Sequence, residues 1–215
     1  MSETRPAGLD VFYPIVPDAT WVARIVPLGV RTLQLRVKDA SAADVRRQIG
    51  ESLSVARHHG CQLIVNDYWR EAIDLAADFV HLGQGDLVGA DIAAIKAAGI
   101  RLGISTHSIA ELDIALGVDP DYVALGPIYP TKLKAMPWAP QGLDRIGEWR
   151  SKISCPLVAI GGITLERAPD VLAAGASSAA VVTDIVMSED PEQRTRAWIA
   201  VTAPWRDFST GCPQS

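Results

Sequence analysis

Eight short, apolar, β-rich runs recur along this chain of 215 residues, and no other feature limits its fold so tightly. They read Asp10–Val16, Thr32–Val37, Gln62–Asp67, Phe79–Gly83, Arg101–Thr106, Tyr122–Ile128, Pro156–Gly161 and Ala179–Asp184. Between them lie segments with helical spacing, among them Ala42–Arg57, Tyr68–Ala77, Ala90–Ala98, Ile109–Leu116 and Leu165–Ala174. Gly60, Gly99, Gly117 and Gly175 follow four of these segments, where a helix C-cap belongs. Continuous apolar runs alternating with helices imply parallel strands buried on both faces. Eight such units in a chain of this length predict a single closed (β/α)₈ TIM barrel with compact loops. A doubly wound open sheet is the rival, but it rarely needs so many units. The barrel is expected to fill residues 1–203. The stretch 204–215, PWRDFSTGCPQS, has no period and is expected to be a loosely ordered C-terminal tail.

Composition excludes several function classes. The net charge is −5, with no basic stripe interleaved with aromatics, which argues against a nucleic-acid surface. No apolar run approaches the roughly 20 residues that span a bilayer, and the start, MSETRPAGLD, is not that of a secretory signal. Three cysteines, Cys61, Cys155 and Cys212, are too scattered for a disulfide framework. Cys61 and Cys155 precede strand-like runs and are expected to be buried free thiols in a reducing cytoplasm.

A barrel of this class carries its functional groups at the C-terminal ends of its strands. Polar residues gather there: Arg36 and Lys38, Asn66 and Asp67, Gln84 and Asp86, Ser105 to His107, Thr131 to Lys134, Gly161-Gly162 and Thr183-Asp184. Asp67 and Asp86 end neighbouring units, and Mg²⁺ is commonly held by one or two carboxylates with substrate phosphate oxygens completing its shell. Asp67 equally suits the N-cap of the following helix, and Asp86 the cap of a turn. Arg36 and Lys38 lie two apart on one strand and point the same way. With Lys134 they would form a cationic rim for a diphosphate, a surface ion-pair cluster being the alternative. The turn in AIGGIT, 159–164, lets backbone approach an anion ahead of a helix expected to start at Leu165. With Val182-Thr183 it would make the phosphate site common after strands seven and eight; a tight corner is the plain alternative. Among the histidines, His58 and His59 suit a helix end. His81 reads as a hydrogen-bonded interior residue, and His107 sits on the active face without an evident acid partner.

The motifs LQLRVK (33–38), LIVNDYWREAIDLAADFVHLGQGDL (63–87), LGISTHS (102–108), DYVALGPIYPTKLK (121–134), APQGL (139–143), PLVAIGGI (156–163) and AAVVTDI (179–185) run in order along the barrel. The chain thereby resembles the thiamine-phosphate synthase family, (β/α)₈ enzymes that join a pyrimidine methyl diphosphate to a thiazole phosphate with release of pyrophosphate. The resemblance implies Asp67 and Asp86 as Mg²⁺ ligands. It implies Gln34, Arg36, Lys38, Asn66, Ser105 and Lys134 around the pyrimidine diphosphate, with Arg36, Lys38 and Lys134 supporting catalysis. Thr131, Gly162, Val182 and Thr183 match positions that bind the thiazole phosphate. The chain departs from the family at Val37, Thr183 and Leu133. Val37 should face away from the site, and Thr183 retains the hydroxyl of the usual Ser. Leu133 replaces a second threonine, so one phosphate contact is missing. A tautomerase relative has His where Pro127 stands here, and a non-catalytic barrel that binds thiamine intermediates is the third alternative. Small-molecule substrates, no nucleic acid, no membrane and room for a homo-oligomer complete the expectation.

Overall fold

The computed structural model describes residues 8–131 and 138–206. Eight parallel strands close on themselves: β1 (Phe12–Val16), β2 (Thr32–Leu35), β3 (Gln62–Asn66), β4 (Phe79–Leu82), β5 (Arg101–Thr106), β6 (Tyr122–Leu125), β7 (Leu157–Ile160) and β8 (Ser178–Val181). Each pairs with its neighbour in sequence, and β8 returns to β1 through Phe12–Ala179, Tyr13–Ala180 and Pro14–Val181. All eight expected strands are present, several trimmed at the ends where residues leave the ladder to form the active face.

The helices are α1 (Ala19–Ile25), α2 (Ala42–His58), α3 (Trp69–Asp74), α4 (Gln84–Leu87), α5 (Ile92–Ala97), α6 (Ile109–Leu116), α7 (Asp144–Arg150), α8 (Ala168–Ala173), α9 (Thr183–Val186) and α10 (Pro191–Arg206). Side-chain oxygens start five of them: Asp18 caps Trp21 N–H, Ser41 caps Asp44, Asp91 caps Ala94, Ser108 caps Glu111 and Asp190 caps Gln193. Each satisfies one of the amide donors that a helix start leaves without an intrahelical partner. Gly60, Gly99 and Gly175 are left-handed as a C-cap requires, whereas Gly117 stays right-handed and the chain turns at Asp119, φ +51°.

Period-two alternation divides the strand side chains between two cores. One set, including Tyr13, Ile15, Ile64, Phe79, Tyr122 and Val158, fills the barrel. Their neighbours, such as Phe12, Leu33, Val65, Leu102 and Leu157, pack outward beneath the helices. Trp198 of α10 is fully buried there and stacks on Phe12 with ring centres 5.3 Å apart. Gly103 on β5 is required by the interior: a Cβ there would lie 2.0 Å from the Tyr122 ring.

The helix expected over Tyr68–Ala77 ends at Asp74 and that over Ala90–Ala98 starts at Ile92, and two further boundaries differ for tertiary reasons. Pro204–Arg206 complete α10 instead of opening a tail, because Arg206 reaches back to Asp10 with two 3.0 Å bonds. That partner is 196 positions away, so no local pattern announces it. The rest of the expected tail lies outside the described residues. The second difference is α8, which starts at Ala168 with Pro in its first turn, three residues after the predicted Leu165. Cys61 is buried and free as expected, its thiol pushed up to about 12 by burial, while Cys155 is free but only half-buried. Among the described residues no helix is long and apolar enough to cross a membrane.

Candidate active site

The ends of β2 to β5 form a continuous polar wall. Arg36 extends the β1–β2 ladder by donating its N–H to Val16 O at 2.8 Å. Arg36 and Lys38 are exposed, and Val37 between them is buried with the outer core. The alternation turns the cations together and faces Val37 away, as the sequence indicates. Lys38 Nζ lies 2.6 Å from Asp67 Oδ2.

Asp67 follows β3 in a left-handed conformation, φ +67°, with its N–H bonded to His81 O at 2.9 Å. Such backbone is strained for residues other than Gly, and Asp tolerates it better than most. It aims the carboxylate across to β4 instead of along α3. The N-cap of α3 is Tyr68, with no side-chain cap bond, so Asp67 does not cap that helix. Asp86 lies within α4, where its carboxylate meets that of Asp67 and also turns back onto the Gly83 backbone. Burial, then the charge and hydrogen bond of Asp67, hold the Asp86 carboxyl above the usual carboxylate range. Two facing carboxylates disfavour each other's charge, and a hard cation between them relieves that repulsion. The donor set therefore suits Mg²⁺: oxygen only, with two acidic side chains from adjacent strands.

Below this wall the barrel holds a hydrogen-bonded chain of side chains. Gln34 Nε2 donates to Tyr13 Oη at 2.8 Å, and Tyr13 Oη lies 2.9 Å from Tyr122 Oη. Tyr122 Oη is 2.7 Å from His81 Nδ1, and His81 Nε2 is 2.8 Å from Ser105 Oγ. Burial above all, opposed by the Asp67 charge and helped by that of Arg36, lowers the His81 pKa to about 4. The histidine is thus neutral, with both ring nitrogens engaged, as an interior residue should be. Burial likewise pushes both tyrosines up from their ordinary value. Gln84 Nε2 donates to Ser105 O at 2.7 Å and fixes that strand end. Asn66 ends β3, 95 % buried, in register with His81.

The ends of β7 and β8 are built differently. Gly162 has φ +65°, and a Cβ there would stand 2.5 Å from Pro130 O, so Gly162 lies directly against the residue preceding Thr131. Arg167 Nη1 donates to Gly162 O at 2.7 Å while its guanidinium lies 4.4 Å from the centre of the Tyr129 ring. Val182 and Thr183 are half-buried at the start of α9 on the neighbouring strand. The expected helix dipole behind the glycines is absent, since α8 starts at Ala168. The Leu165 N–H is instead held by Asp184 Oδ2 at 3.1 Å, an acceptor shared with Arg194 and Trp198 of α10. Asp184 is a brace in the fold, not a group on the face.

The structure corrects the expectation for His107. Glu111, one turn along, accepts from both its backbone N–H, 2.7 Å, and its Nδ1, 2.8 Å. Trp138 stacks on the imidazole with centres 5.6 Å apart. Lys134 and Leu133 lie outside the described residues. Gln34, Arg36, Lys38, Asn66, Asp67, Asp86 and Ser105 share one contiguous sector. Thr131, Gly162, Val182 and Thr183 share the other. Tyr13, Tyr122, Glu111 and Arg167 were not anticipated. Only the Glu111 spacing, four residues from His107, offered a local signal.

A closed barrel with facing carboxylates and cations at one set of strand ends, opposite a glycine turn after β7, has the layout of an anion-handling (β/α)₈ enzyme. Comparison with known proteins makes the class specific. The family model described as "Thiamine monophosphate synthase" matches residues 13–185. The thiamine-phosphate synthase of Rhizobium etli is 59% identical over 199 residues, covering 92% of this chain and 98% of the relative. That of Neisseria meningitidis serogroup A is 49% identical over 191 residues, covering 88% and 93%. The solved structure of thiamine phosphate pyrophosphorylase from Pyrococcus furiosus superposes with a TM-score of 0.81 over 92% of this chain and 96% of that one, at 24% identity. The chain belongs to the thiamine monophosphate synthase family.

Proposed function

We propose that the chain condenses 4-amino-2-methyl-5-hydroxymethylpyrimidine diphosphate with 4-methyl-5-(2-phosphoethyl)thiazole, or its 2-carboxy form, giving thiamine phosphate and pyrophosphate. The observation that carries this reading is the meeting of Lys38, Asp67 and Asp86 at the ends of β2, β3 and β4, with Arg36 exposed two residues before Lys38. Asp67 and Asp86 would hold Mg²⁺, which when bound supplies positive charge against diphosphate oxygens. Arg36 and Lys38, joined by Lys134, oppose the negative charge that builds on the diphosphate as the C–O bond breaks. The electron-rich aminopyrimidine stabilises the methylene cation left behind, and the thiazole nitrogen forms the new C–N bond with its lone pair.

No general base is required, which agrees with His81 being fully engaged and His107 being paired to Glu111. Gln34, Asn66 and Ser105 hold the pyrimidine, while Thr131, Gly162, Val182 and Thr183 receive the thiazole phosphate. Rate then comes from positioning and fixed charge. The two free thiols among the described residues support a reducing, cytoplasmic setting. Pro127 occupies the place where the tautomerase relative would carry His, so that reading gains no support. Purified protein with Mg²⁺ and both substrates tests the proposal: thiamine phosphate and pyrophosphate should appear together, and failure to release pyrophosphate rejects it.

A further inference from the structure

The interior chain Gln34–Tyr13–Tyr122–His81–Ser105 joins two residues of the pyrimidine sector through three that no reaction step uses. With the Gln34 amide nitrogen facing Tyr13, one direction of bonding gives every hydroxyl and imidazole proton of the chain an acceptor. A tyrosine hydroxyl has a single proton. With Gln34 Nε2 donating to Tyr13 Oη, the Tyr13 proton goes to Tyr122 Oη. Tyr122 has then accepted, and its own proton goes to His81 Nδ1. A neutral imidazole carries one N–H, so His81 donates from Nε2 to Ser105 Oγ.

Each end is thereby set. Gln34 turns its amide nitrogen to both tyrosines, one N–H to Tyr13 and the other to Tyr122, which leaves its carbonyl oxygen as an acceptor. Ser105 receives from His81, which leaves its hydroxyl proton as a donor. A 4-aminopyrimidine offers the complement, an amino N–H and ring-nitrogen lone pairs. A 4-oxopyrimidine presents the reverse, with a ring N–H and a carbonyl. Gly103 belongs to the device, because its missing side chain admits the Tyr122 ring that bridges Tyr13 and His81.

We propose that Tyr13, Tyr122 and His81 are positioning residues, a one-way hydrogen-bond relay that makes Gln34 an acceptor and Ser105 a donor and so selects the amino over the oxo pyrimidine. This rests on the synthase reading. The relay acts on recognition and leaves the thiazole site untouched. Removing one hydroxyl frees both ends to rotate or reverse, so selectivity falls while affinity for the bare diphosphate group persists.

The test measures binding of the 4-amino and 4-oxo pyrimidine diphosphates, with inorganic pyrophosphate as control, to the wild type, Tyr122→Phe and Tyr13→Phe. The wild type should prefer the amino compound by on the order of 10²-fold. Either variant should narrow that preference by roughly tenfold, the effect of about one buried hydrogen bond. Pyrophosphate affinity and the KM for the thiazole phosphate should be unchanged. An unaltered preference in both variants overturns the proposal. ¹⁵N NMR of His81 in the wild type, which needs no variant to fold, should show the Nε2–H tautomer; Nδ1–H also overturns it. A wild type that binds both compounds but releases no pyrophosphate with the full substrates rejects the synthase reading instead.

Discussion

Asp67 and Gly162 stand at the ends of β3 and β7 with nearly the same backbone, φ +67° and +65°, yet the chain fills the two positions oppositely. At Asp67 the left-handed turn has room for a side chain and uses it to bring a carboxylate against Asp86 and Lys38. At Gly162 any Cβ would strike the Pro130 carbonyl and Tyr129, so backbone alone forms the surface. The difference extends to the sectors around them. From β2 to β5 the site is made of charged and hydrogen-bonded side chains. After β7 and β8 it is made of a glycine turn and a short helix start. A departing diphosphate needs placed charge, whereas a phosphate that only anchors its substrate can be held by close backbone approach.

The contrast breaks most visibly at Asp67. Asp67→Ala should lower turnover by on the order of 10²–10³, comparable to losing one preorganised charge-stabilising group. Melting should confirm a folded variant, and unchanged turnover with unchanged Mg²⁺ dependence would reject Asp67 as a proposed Mg²⁺ ligand.

Next comes acid stability, which should follow His81 in the side-chain sector. Its pKa falls from an ordinary 6.5 to about 4 on folding. The unfolded chain therefore takes up a proton first, so stability is present above pH 6.5 and lost as pH falls through 4. The full swing is about 3 kcal/mol for the shift. Denaturant unfolding at pH 7 and pH 4.5 should show most of it in the wild type and much less in His81→Gln. An equal loss in both would place the acid sensitivity elsewhere.

Gly162→Ala addresses the backbone sector. Left-handed strain and the clash with Pro130 should destabilise the protein by about 1–3 kcal/mol. The KM for the thiazole phosphate should rise while that for the pyrimidine diphosphate holds; a rise confined to the pyrimidine substrate would undo the division between sectors. The smallest effect belongs to Arg167→Ala, which frees the Gly162 carbonyl from an exposed donor. Only a few-fold rise in the thiazole-phosphate KM is expected, since exposed charged contacts contribute little. No change in the pyrimidine KM should accompany it.

Much of this site was legible because a barrel converts strand ends into a face. Arg36, Val37 and Lys38 show it locally: alternation alone turns the two cations together and buries the residue between them. His107 shows the limit. Its acid partner is only four residues away, but the pair forms because α6 starts at Ile109 and brings Glu111 back over the strand end. The helix placed too early at Leu165 failed for a related reason. The amide that a helix start would have freed is taken by Asp184, whose position depends on α10 packing against α9.

The sequence by itself determined the eight strand units, the two-faced alternation of each and the identity of the residues at their C-terminal ends, because these follow from local periodicity. Only the tertiary structure decided which of those residues meet and what lies beneath them. Tyr13 and Tyr122 are 109 positions apart and look, one at a time, like ordinary strand aromatics. Closure of the barrel brings their hydroxyls together across its interior, and the gap at Gly103 gives the second ring its place. Contacts of that kind depend on ring closure and side-chain volume, which no short stretch of chain contains.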